Sequence, residues 1–345
     1  MRALTIDSHG GLEQVVLRDD LEIPAIARAG DVRVRLHAAA LNHLDLWTIG
    51  GLPGVTVKPP WVLGADGAGV VDAVGDAVTS VRVGDPVFIN PGISCGECEY
   101  CLAREESLCV RFGILGEHLP GTFAEYVVVP EPNVRTVPAD APWDKAAAYP
   151  LVTLTAWRAV VTRAQVRAGD RVLIWGIGGG VALAALQICK LLGAHVTVTS
   201  SSDEKLQRAR LLGADDGIRH DLVEVGKELR ARTGKRGVDV VIDSVGEKTW
   251  AQSLLALGKR GRLVVYGGTS GPKVETDVRR LFWNQWSILG TTMGSHAEFD
   301  AITVAFRDGQ LTPVVDRVFP LEEGRAALER MQRGEQFGKI VLHIA

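Results

Sequence analysis

The sequence predicts an α/β protein with two domains, an irregular and mainly antiparallel β domain and a doubly wound domain with a parallel sheet. Three observations support this fold class. The 345 residues are too many for one ordinary domain and enough for two. Short β-branched segments fill the first part of the chain, whereas strand and helix patterns alternate after Tyr149. Apolar residues make up 46% and charged residues 23%, which is typical of a globular protein and argues against disorder.

The β domain is predicted from short segments bounded by Gly, Pro or Asp. Clear examples are Asp31–Leu36, Gly67–Val74 and Glu125–Val129. The pattern becomes mixed again after Met293 and ends in the strand-like sequence KIVLHIA. We therefore predict that an α/β domain, residues 153–293, is inserted into a β domain made of residues 1–152 and 294–345.

The inserted domain is predicted from apolar strands that alternate with helical patterns. Its elements, in order, are the strand Arg171–Trp175, the helix Val181–Leu192, the strand His195–Thr199, the helix Asp203–Leu212 and the strands Val238–Asp243 and Arg262–Tyr266. The turn after the first strand contains Gly176, Gly178, Gly179 and Gly180, followed by Val181. Glycines there let the backbone approach a pyrophosphate, which the free N–H groups of the helix N-terminus can bind. Such a turn can be a plain connector, but its strand and helix context favours a dinucleotide site.

The end of the second strand of this domain selects between NAD and NADP. An acidic residue there would bind the ribose 2′-hydroxyl and repel a 2′-phosphate. The chain instead has Ser200, Ser201 and Ser202, with Lys205 nearby, and these donors suit a phosphate. Ser202 or Asp203 could also cap the following helix, and both interpretations can hold at once. We predict NADPH as the cofactor. Further cofactor contacts are predicted at Thr155, Ser244, Tyr266, Gly267, Thr291 and Lys339.

Four of the five cysteines, Cys95, Cys98, Cys101 and Cys109, lie in the segment 91–112. Four thiolates so close together match a closed tetrahedral zinc site that has no position for a substrate. An iron–sulfur cluster is the competing interpretation, but the proline that follows the last cysteine in ferredoxin motifs is absent. We predict one structural Zn²⁺ ion.

These features together resemble the medium-chain dehydrogenase/reductase superfamily, which includes zinc alcohol dehydrogenases and quinone oxidoreductases. The resemblance covers essentially the whole chain. Besides the cysteine segment and the glycine turn, it rests on GADGAGVV at 64–71, GDPVF at 84–88, GTFAEYVVVP at 121–130, VVIDSVG at 240–246 and the closing FGKIVL. It implies a GroES-like β domain, a Rossmann domain and an active site in the cleft between them.

In zinc alcohol dehydrogenases, a Cys, the His of a GHEGAG motif and a later Cys or acidic residue bind the catalytic metal. The matching positions here are Asn42, Ala65 and Leu151, none of them a normal zinc ligand. Asp45, Asp66 and His43 could in principle build another metal site, although two of the standard ligand positions are apolar. The resemblance therefore implies a structural zinc without a catalytic zinc.

The missing ligands constrain the predicted reaction. Hydride addition to an isolated ketone creates an alkoxide, which zinc stabilises as a Lewis acid. Addition to an enone, an enoyl thioester or a quinone creates a delocalised anion that hydrogen bonds can stabilise. We predict an NADPH-dependent reductase of an activated C=C bond or a quinone, a step that could also start a reductive cyclisation. The alternatives are a zinc-free carbonyl reductase or alcohol dehydrogenase and a catalytically idle NADPH-binding sensor.

The candidate catalytic residues are Asn42, His43 and Asp45. Asn42 is predicted to donate a hydrogen bond to the substrate, and His43 to lie near the cofactor phosphates or in a proton relay. Asp45 is either catalytic or a structural hydrogen-bonding residue. His118 and Thr155 are further polar candidates. Four tryptophans are predicted either to line an apolar pocket or to pack in the core: Trp47, Trp61, Trp283 and Trp286.

Charge and hydropathy limit the partners. A net charge of −3 gives no basic field for nucleic acid or an anionic membrane. The sequence has no apolar run long enough to span a bilayer and no signal-peptide core, so a cytoplasmic protein with a small-molecule substrate is expected. The resemblance implies a homodimer that pairs the last strands of two Rossmann sheets. The apolar segment Arg279–Gly290 would lie at that edge, or else would pack inside one subunit.

Overall fold

A computed structural model describes residues 1–344. The contacts between residues divide the chain into two compact units. The first unit is Met1–Val152 together with the segment from Gly294 to the end of the described chain, and the second is Thr153–Met293.

The first unit is built mainly from strands. Before the second unit its elements are β1 (Ala3–Ile6), β2 (Val16–Arg18), β3 (Asp31–Ala40), α1 (His43–Gly50), β4 (Trp61–Val62), β5 (Asp66–Val74), β6 (Pro86–Ile89), β7 (Gly92–Ile93), α2 (Glu99–Leu102), β8 (Gly113–Ile114), β9 (Tyr126–Pro130), β10 (Val134–Thr136) and α3 (Trp143–Ala148). The chain passes into the second unit through α4 (Pro150–Trp157) and a π-helical turn, Arg158–Arg163.

The second unit alternates strands and helices. Its further elements are β11 (Arg171–Ile174), α5 (Gly180–Leu191), β12 (His195–Ser200), α6 (Asp203–Leu211), β13 (Asp216–Arg219), α7 (Val225–Arg232), β14 (Val238–Asp243), α8 (Glu247–Ala256), β15 (Leu257–Val265), α9 (Val278–Asn284) and β16 (Ser287–Gly290). The chain then returns to the first unit with α10 (His296–Arg307), β17 (Val315–Pro320), α11 (Gly324–Gln332) and β18 (Lys339–His343).

The central sheet of the first unit has seven strands in the order β10-β6-β5-β3-β18-β17, with β9 also paired to β3. Pairing is antiparallel except between β17 and β18, which are parallel. β3 is buried at Val32, Val34 and Leu36, so its alternating apolar residues pack on the core. Because β18 pairs with β3, the C-terminal segment completes this sheet.

The sheet of the second unit has six parallel strands in the order β13-β12-β11-β14-β15-β16. The α/β class with a doubly wound parallel sheet is therefore confirmed. The strands predicted from apolar patterns did not include the two edge strands, β13 and β16, although the resemblance placed the segment Arg279–Gly290 at an edge of the sheet. β13 buries one apolar side chain, Ile218, and β16 is largely exposed, so neither has the continuous apolar run that marks a buried strand.

The tryptophans differ in how deeply they are buried. Trp61 packs in the core of the first unit and Trp286 in the core of the second, whereas the side chain of Trp283 lies on the surface with 77% of its area exposed. Core packing is therefore the correct interpretation for Trp61 and Trp286. Within the described residues, every helix is too short or too polar to cross a membrane.

Candidate functional site

The predicted cofactor-binding positions of the second unit cluster beyond the carboxyl ends of its parallel strands. Each of these positions follows the end of a strand. Gly176 follows β11, Ser201 follows β12, Ser244 follows β14, Tyr266 and Gly267 follow β15, and Thr291 follows β16. Parallel strands present their carboxyl ends at one edge of the sheet, so these residues meet there. The strand order reverses direction between β11 and β14, and this is the place where ligands bind to open α/β sheets.

The glycine turn forms an open cradle at this edge. Gly176 has a φ of +67°, and its N–H donates to the Thr199 hydroxyl over 3.1 Å. A Cβ on Gly179 would meet only the Gly176 carbonyl oxygen, at 3.7 Å, so the space beside the turn is free. α5 begins at Gly180, and its first N–H groups have no partners within the helix. These residues therefore fit a dinucleotide pyrophosphate.

Two polar side chains near the edge also fit a bound cofactor. The Thr291 hydroxyl oxygen is buried and has no hydrogen-bond partner among the described residues, so a ligand could satisfy it. Burial raises the pKa of Tyr266 to about 12, although a hydrogen bond with Ser244 lowers it. Tyr266 is therefore a neutral phenol at physiological pH. Thr155 contacts the Met293 sulfur at 3.8 Å, and its predicted cofactor contact stays a prediction.

The serines at the end of β12 cap the next helix. The Ser202 hydroxyl accepts a hydrogen bond from the Lys205 N–H over 3.3 Å, and the Ser200 hydroxyl accepts one from the Ser202 N–H over 3.1 Å. The capping interpretation is thus confirmed for Ser202. These contacts involve neither the Ser201 side chain nor the Lys205 ammonium. Phosphate binding by these two groups stays a prediction.

A buried polar cluster lies in the first unit where Asn42, Asp66 and Lys339 meet. The Lys339 ammonium donates to the Asn42 Oδ1 over 2.5 Å and to the Asp66 Oδ2 over 3.0 Å. The Asn42 Nδ2 donates to the same Asp66 oxygen over 2.9 Å. Asn42 is only 7% exposed, Asp66 is 0% exposed and Lys339 is 3% exposed. The cluster is therefore an ion pair shielded from water, with an amide joined to both partners.

Sheet register brings these residues together. Val341 of β18 pairs with Ala40 of β3, so Lys339, at the start of β18, lies opposite Asn42 just past the end of β3. On the other side of β3, Ala40 pairs with Asp66 at the start of β5. The central strand thus places the three side chains around its own carboxyl end.

The three positions that match metal ligands in zinc alcohol dehydrogenases surround this ion pair. Asn42 bonds to Asp66, Ala65 precedes Asp66 and is fully buried, and the Leu151 N–H donates to the Asp66 Oδ1 over 2.8 Å. Both carboxylate oxygens of Asp66 are therefore occupied, and its charge is balanced by the ammonium of Lys339. Among the described residues, the cysteines are grouped closely enough to share an ion, whereas Asp45, Asp66 and His43 do not form such a group.

The predicted catalytic residues have different surroundings in the structure. The Asn42 amide donates to Asp66 and, over 3.3 Å, to the Ala40 carbonyl oxygen, so both of its N–H bonds are used. His43 begins α1 on the surface and packs edge-on against Trp47 at 5.2 Å between ring centroids. His118 accepts a hydrogen bond from the Ile114 N–H over 3.3 Å. Their catalytic roles stay predictions. Lys339 is the cation of the polar cluster, and its predicted cofactor contact also stays a prediction.

Asp45 stabilises the start of α1. Its carboxylate accepts a hydrogen bond from the Asn42 backbone N–H over 2.7 Å, which is the contact an acidic residue makes in the first turn of a helix. Burial raises the pKa of Asp45 to about 7, and the neighbouring Asp66 carboxylate raises it further. The Asn42 backbone N–H and the Lys339 ammonium act in the opposite direction. Folding therefore disfavours the ionised form of this carboxyl group.

We expect Asp45→Asn to stabilise the protein at alkaline pH. The amide oxygen can still accept the Asn42 N–H, but no charge is buried. Since the folded-state pKa of about 7 exceeds the unfolded value of 3.8, the wild type loses stability as pH rises from 4 to 7, by at most about 4 kcal/mol. In urea unfolding, the variant should have a larger free energy of unfolding than the wild type at pH 8. This difference should become smaller toward pH 4. A difference independent of pH would contradict this assignment.

The cysteine segment fits a metal ion. The Sγ atoms of Cys95, Cys98, Cys101 and Cys109 all lie within 4.8 Å of one another, and the Cys98–Cys101 distance is 3.5 Å. Tetrahedral Zn–S bonds of about 2.3 Å separate sulfurs by roughly 3.8 Å. Backbone N–H groups, with that of Glu97 contributing most, lower the pKa of Cys95 to about 6 and so favour the thiolate that zinc requires.

Each of the two units contains a segment that matches a known protein family. Residues 28–139 match the family described as alcohol dehydrogenase GroES-like domain, and residues 180–307 match the zinc-binding dehydrogenase family. The solved structure of an NAD-dependent alcohol dehydrogenase is 44% identical, has a TM-score of 0.95 and covers 100% of both chains.

Two curated relatives cover nearly the whole chain. A zinc-type alcohol dehydrogenase-like protein of Schizosaccharomyces pombe is 32% identical over 100% of this chain and 99% of its own length. Human quinone oxidoreductase is 29% identical over 99% of this chain and 97% of its own length. With its GroES-like unit, its parallel nucleotide-binding sheet and its cysteine segment, this chain belongs to the medium-chain dehydrogenase/reductase superfamily of oxidoreductases.

Proposed function

We propose that this oxidoreductase uses NADPH to reduce an activated C=C bond or a quinone, without a catalytic zinc. The observation that carries this proposal is the Lys339–Asp66 ion pair, which occupies the place where the matching zinc ligands of alcohol dehydrogenases would converge. Asn42, Ala65 and Leu151 offer no metal-ligating side chain there.

The charge balance of the cluster favours a delocalised anion. Lys339 has three N–H donors, and Asn42 and Asp66 accept two of the hydrogen bonds. The proposed substrate oxygen would accept the third. Its positive charge is compensated by Asp66, and the cluster therefore offers a hydrogen bond without the field of a divalent metal. Such a donor suits an enolate or phenolate better than the more basic alkoxide.

The role of each residue in the proposed reaction follows from these contacts. When bound, NADPH would supply a hydride for the carbon β to the carbonyl group. The π electrons of the substrate then move to the carbonyl oxygen, which Lys339 holds by a hydrogen bond, and a proton from solvent completes the α-carbon. Asn42 and Asp66 fix the position of the ammonium.

A substrate panel tests this proposal. Purified protein is incubated with NADPH or NADH and with an enone, an enoyl thioester, a quinone and an unconjugated ketone, and its zinc content is measured. We expect about one zinc per chain and turnover of the conjugated acceptors. Faster ketone reduction, or two zinc ions per chain, would favour the alcohol dehydrogenase alternative, to which the name of the 44% identical relative points. NADPH binding without any turnover would favour the sensor.

Ser200→Asp tests the cofactor preference. Ser200 ends β12 and is buried, so the substitution would place a carboxylate beside the expected 2′-phosphate. At an effective dielectric constant near 20, two charges about 4 Å apart repel by about 4 kcal/mol before screening. We expect a roughly ten- to hundredfold weaker affinity for NADPH in calorimetry, with NADH much less affected. A wild type that prefers NADH, or a variant that binds NADPH undiminished, would contradict the proposed cofactor.

We also propose a homodimer that forms through the β16 edge. β16 is the outer strand of its sheet, and Ile288 on β16 and Phe282 and Trp283 on α9 expose apolar surface beside it. An exposed edge strand with apolar neighbours is a ready site for pairing with a second copy. Light scattering at micromolar concentration should give twice the chain mass of 37.0 kDa, and Trp283→Asp should shift the particle toward the monomer. A wild-type particle of single-chain mass would rule out the dimer.

A further inference from the structure

Arg219 lies beside the proposed 2′-phosphate position, although the sequence analysis did not include it. It is the last residue of β13, and the register of the parallel pair β12–β13 sets it next to Ser200. The His220 N–H donates to the Ser200 carbonyl oxygen over 3.3 Å, which continues the pairing past the strand end. Neighbouring strands lie about 4.8 Å apart, so the two residues share the edge where the cofactor contacts cluster.

Two carboxylates accept hydrogen bonds from the Arg219 guanidinium, one through two bonds and the other through one. Asp221 accepts two N–H bonds, over 2.9 and 2.7 Å, and this bidentate contact fixes the guanidinium plane. Asp203 accepts one bond over 2.6 Å, but its side chain is 78% exposed, against 26% for Arg219. An ion pair with so exposed a partner contributes little to stability, so the Asp203 contact can be exchanged at low cost.

We propose that Arg219 determines the cofactor preference by binding the 2′-phosphate of NADPH. The phosphate takes the place of the Asp203 carboxylate on the guanidinium, while Asp221 keeps its bidentate contact. A guanidinium suits this task because its charge is permanent and its donors match phosphate oxygens. Lys205, at the first turn of α6, adds a second positive charge close to the same strand end. The inference rests on the proposed use of NADPH.

Binding measurements on the full-length protein test Arg219 without any need for turnover. The variant Arg219→Gln removes the charge and keeps a polar side chain. The ligands are NADPH, NADH, adenosine 2′,5′-bisphosphate and adenosine 5′-monophosphate, each titrated by calorimetry. We expect a ten- to hundredfold rise in Kd for the two ligands with a 2′-phosphate, and a change within about twofold for the other two.

Two further variants separate recognition from a structural role. Arg208→Gln removes a nearby arginine that lies on α6 and pairs with Glu204 at 3.8 Å, and it should leave all four Kd values unchanged. Asp203→Asn removes the exchangeable partner and should tighten NADPH binding several-fold without changing NADH. Equal weakening of all four ligands by Arg219→Gln, or no weakening, would overturn the inference. The wild type could prefer NADH while Arg219→Gln still selectively weakens the binding of adenosine 2′,5′-bisphosphate. That result would refute the proposed use of NADPH but not the phosphate contact of Arg219.

Discussion

Lys339→Met is expected to cause the largest loss of both stability and activity. The substitution keeps an unbranched side chain that is one atom shorter, but it leaves the fully buried Asp66 carboxylate without its cation. Removing one partner of a buried ion pair typically costs about 3–5 kcal/mol. The proposed hydrogen bond to the substrate oxygen is also lost, and we expect turnover of an enone to fall by roughly a hundredfold or more. Urea unfolding and steady-state kinetics measure the two effects.

The double variant Lys339→Met with Asp66→Asn separates these effects. It removes both charges, while the amide can still accept the Leu151 N–H, so most of the lost stability should return. The activity should not return, because no ammonium is present. Recovery of turnover in the double variant would show that Lys339 acts only on the fold. A single variant as stable as the wild type would show that the ion pair is dispensable.

Loss of the structural zinc should be the second large effect. Cys109→Ser removes one of the four clustered sulfurs, and we expect the bound zinc to fall from about one per chain to nearly zero. Zinc contributes about 10–16 kcal/mol to folding in small zinc-finger peptides, so a loss of several kcal/mol is expected in a segment with little other regular structure. Metal analysis and thermal unfolding measure these changes.

The effect of zinc loss should extend beyond the cysteines. Glu106 lies between Cys101 and Cys109, and its carboxylate accepts the His296 N–H over 3.1 Å at the start of α10. Limited proteolysis should cut the variant faster than the wild type, both between residues 91 and 112 and near the start of α10. Cys189→Ala is the matched control, because this buried thiol lies outside the cluster and its loss should leave the zinc in place. Iron instead of zinc in the wild type would revive the iron–sulfur interpretation.

Local sequence determined the parts of this protein that short patterns can encode. The apolar strands of the second unit, the glycine turn at Gly176 and the capping by Ser202 each depend on residues a few positions apart. The close spacing of Cys95 to Cys109 likewise brings four thiols together without help from the rest of the fold. The family, the nucleotide-binding sheet and the metal segment could therefore be predicted from the sequence.

The tertiary structure alone decided which side chains meet at the two proposed sites. Lys339 and Asn42 are 297 positions apart, and only the pairing of β18 with β3 sets them side by side. Arg219 reaches the cofactor edge because β13 pairs with β12, yet β13 buries too little apolar surface to be recognised as a strand. Strands pair through backbone hydrogen bonds, which every residue type except proline can make. The side-chain pattern of one strand therefore does not indicate which distant strand it pairs with.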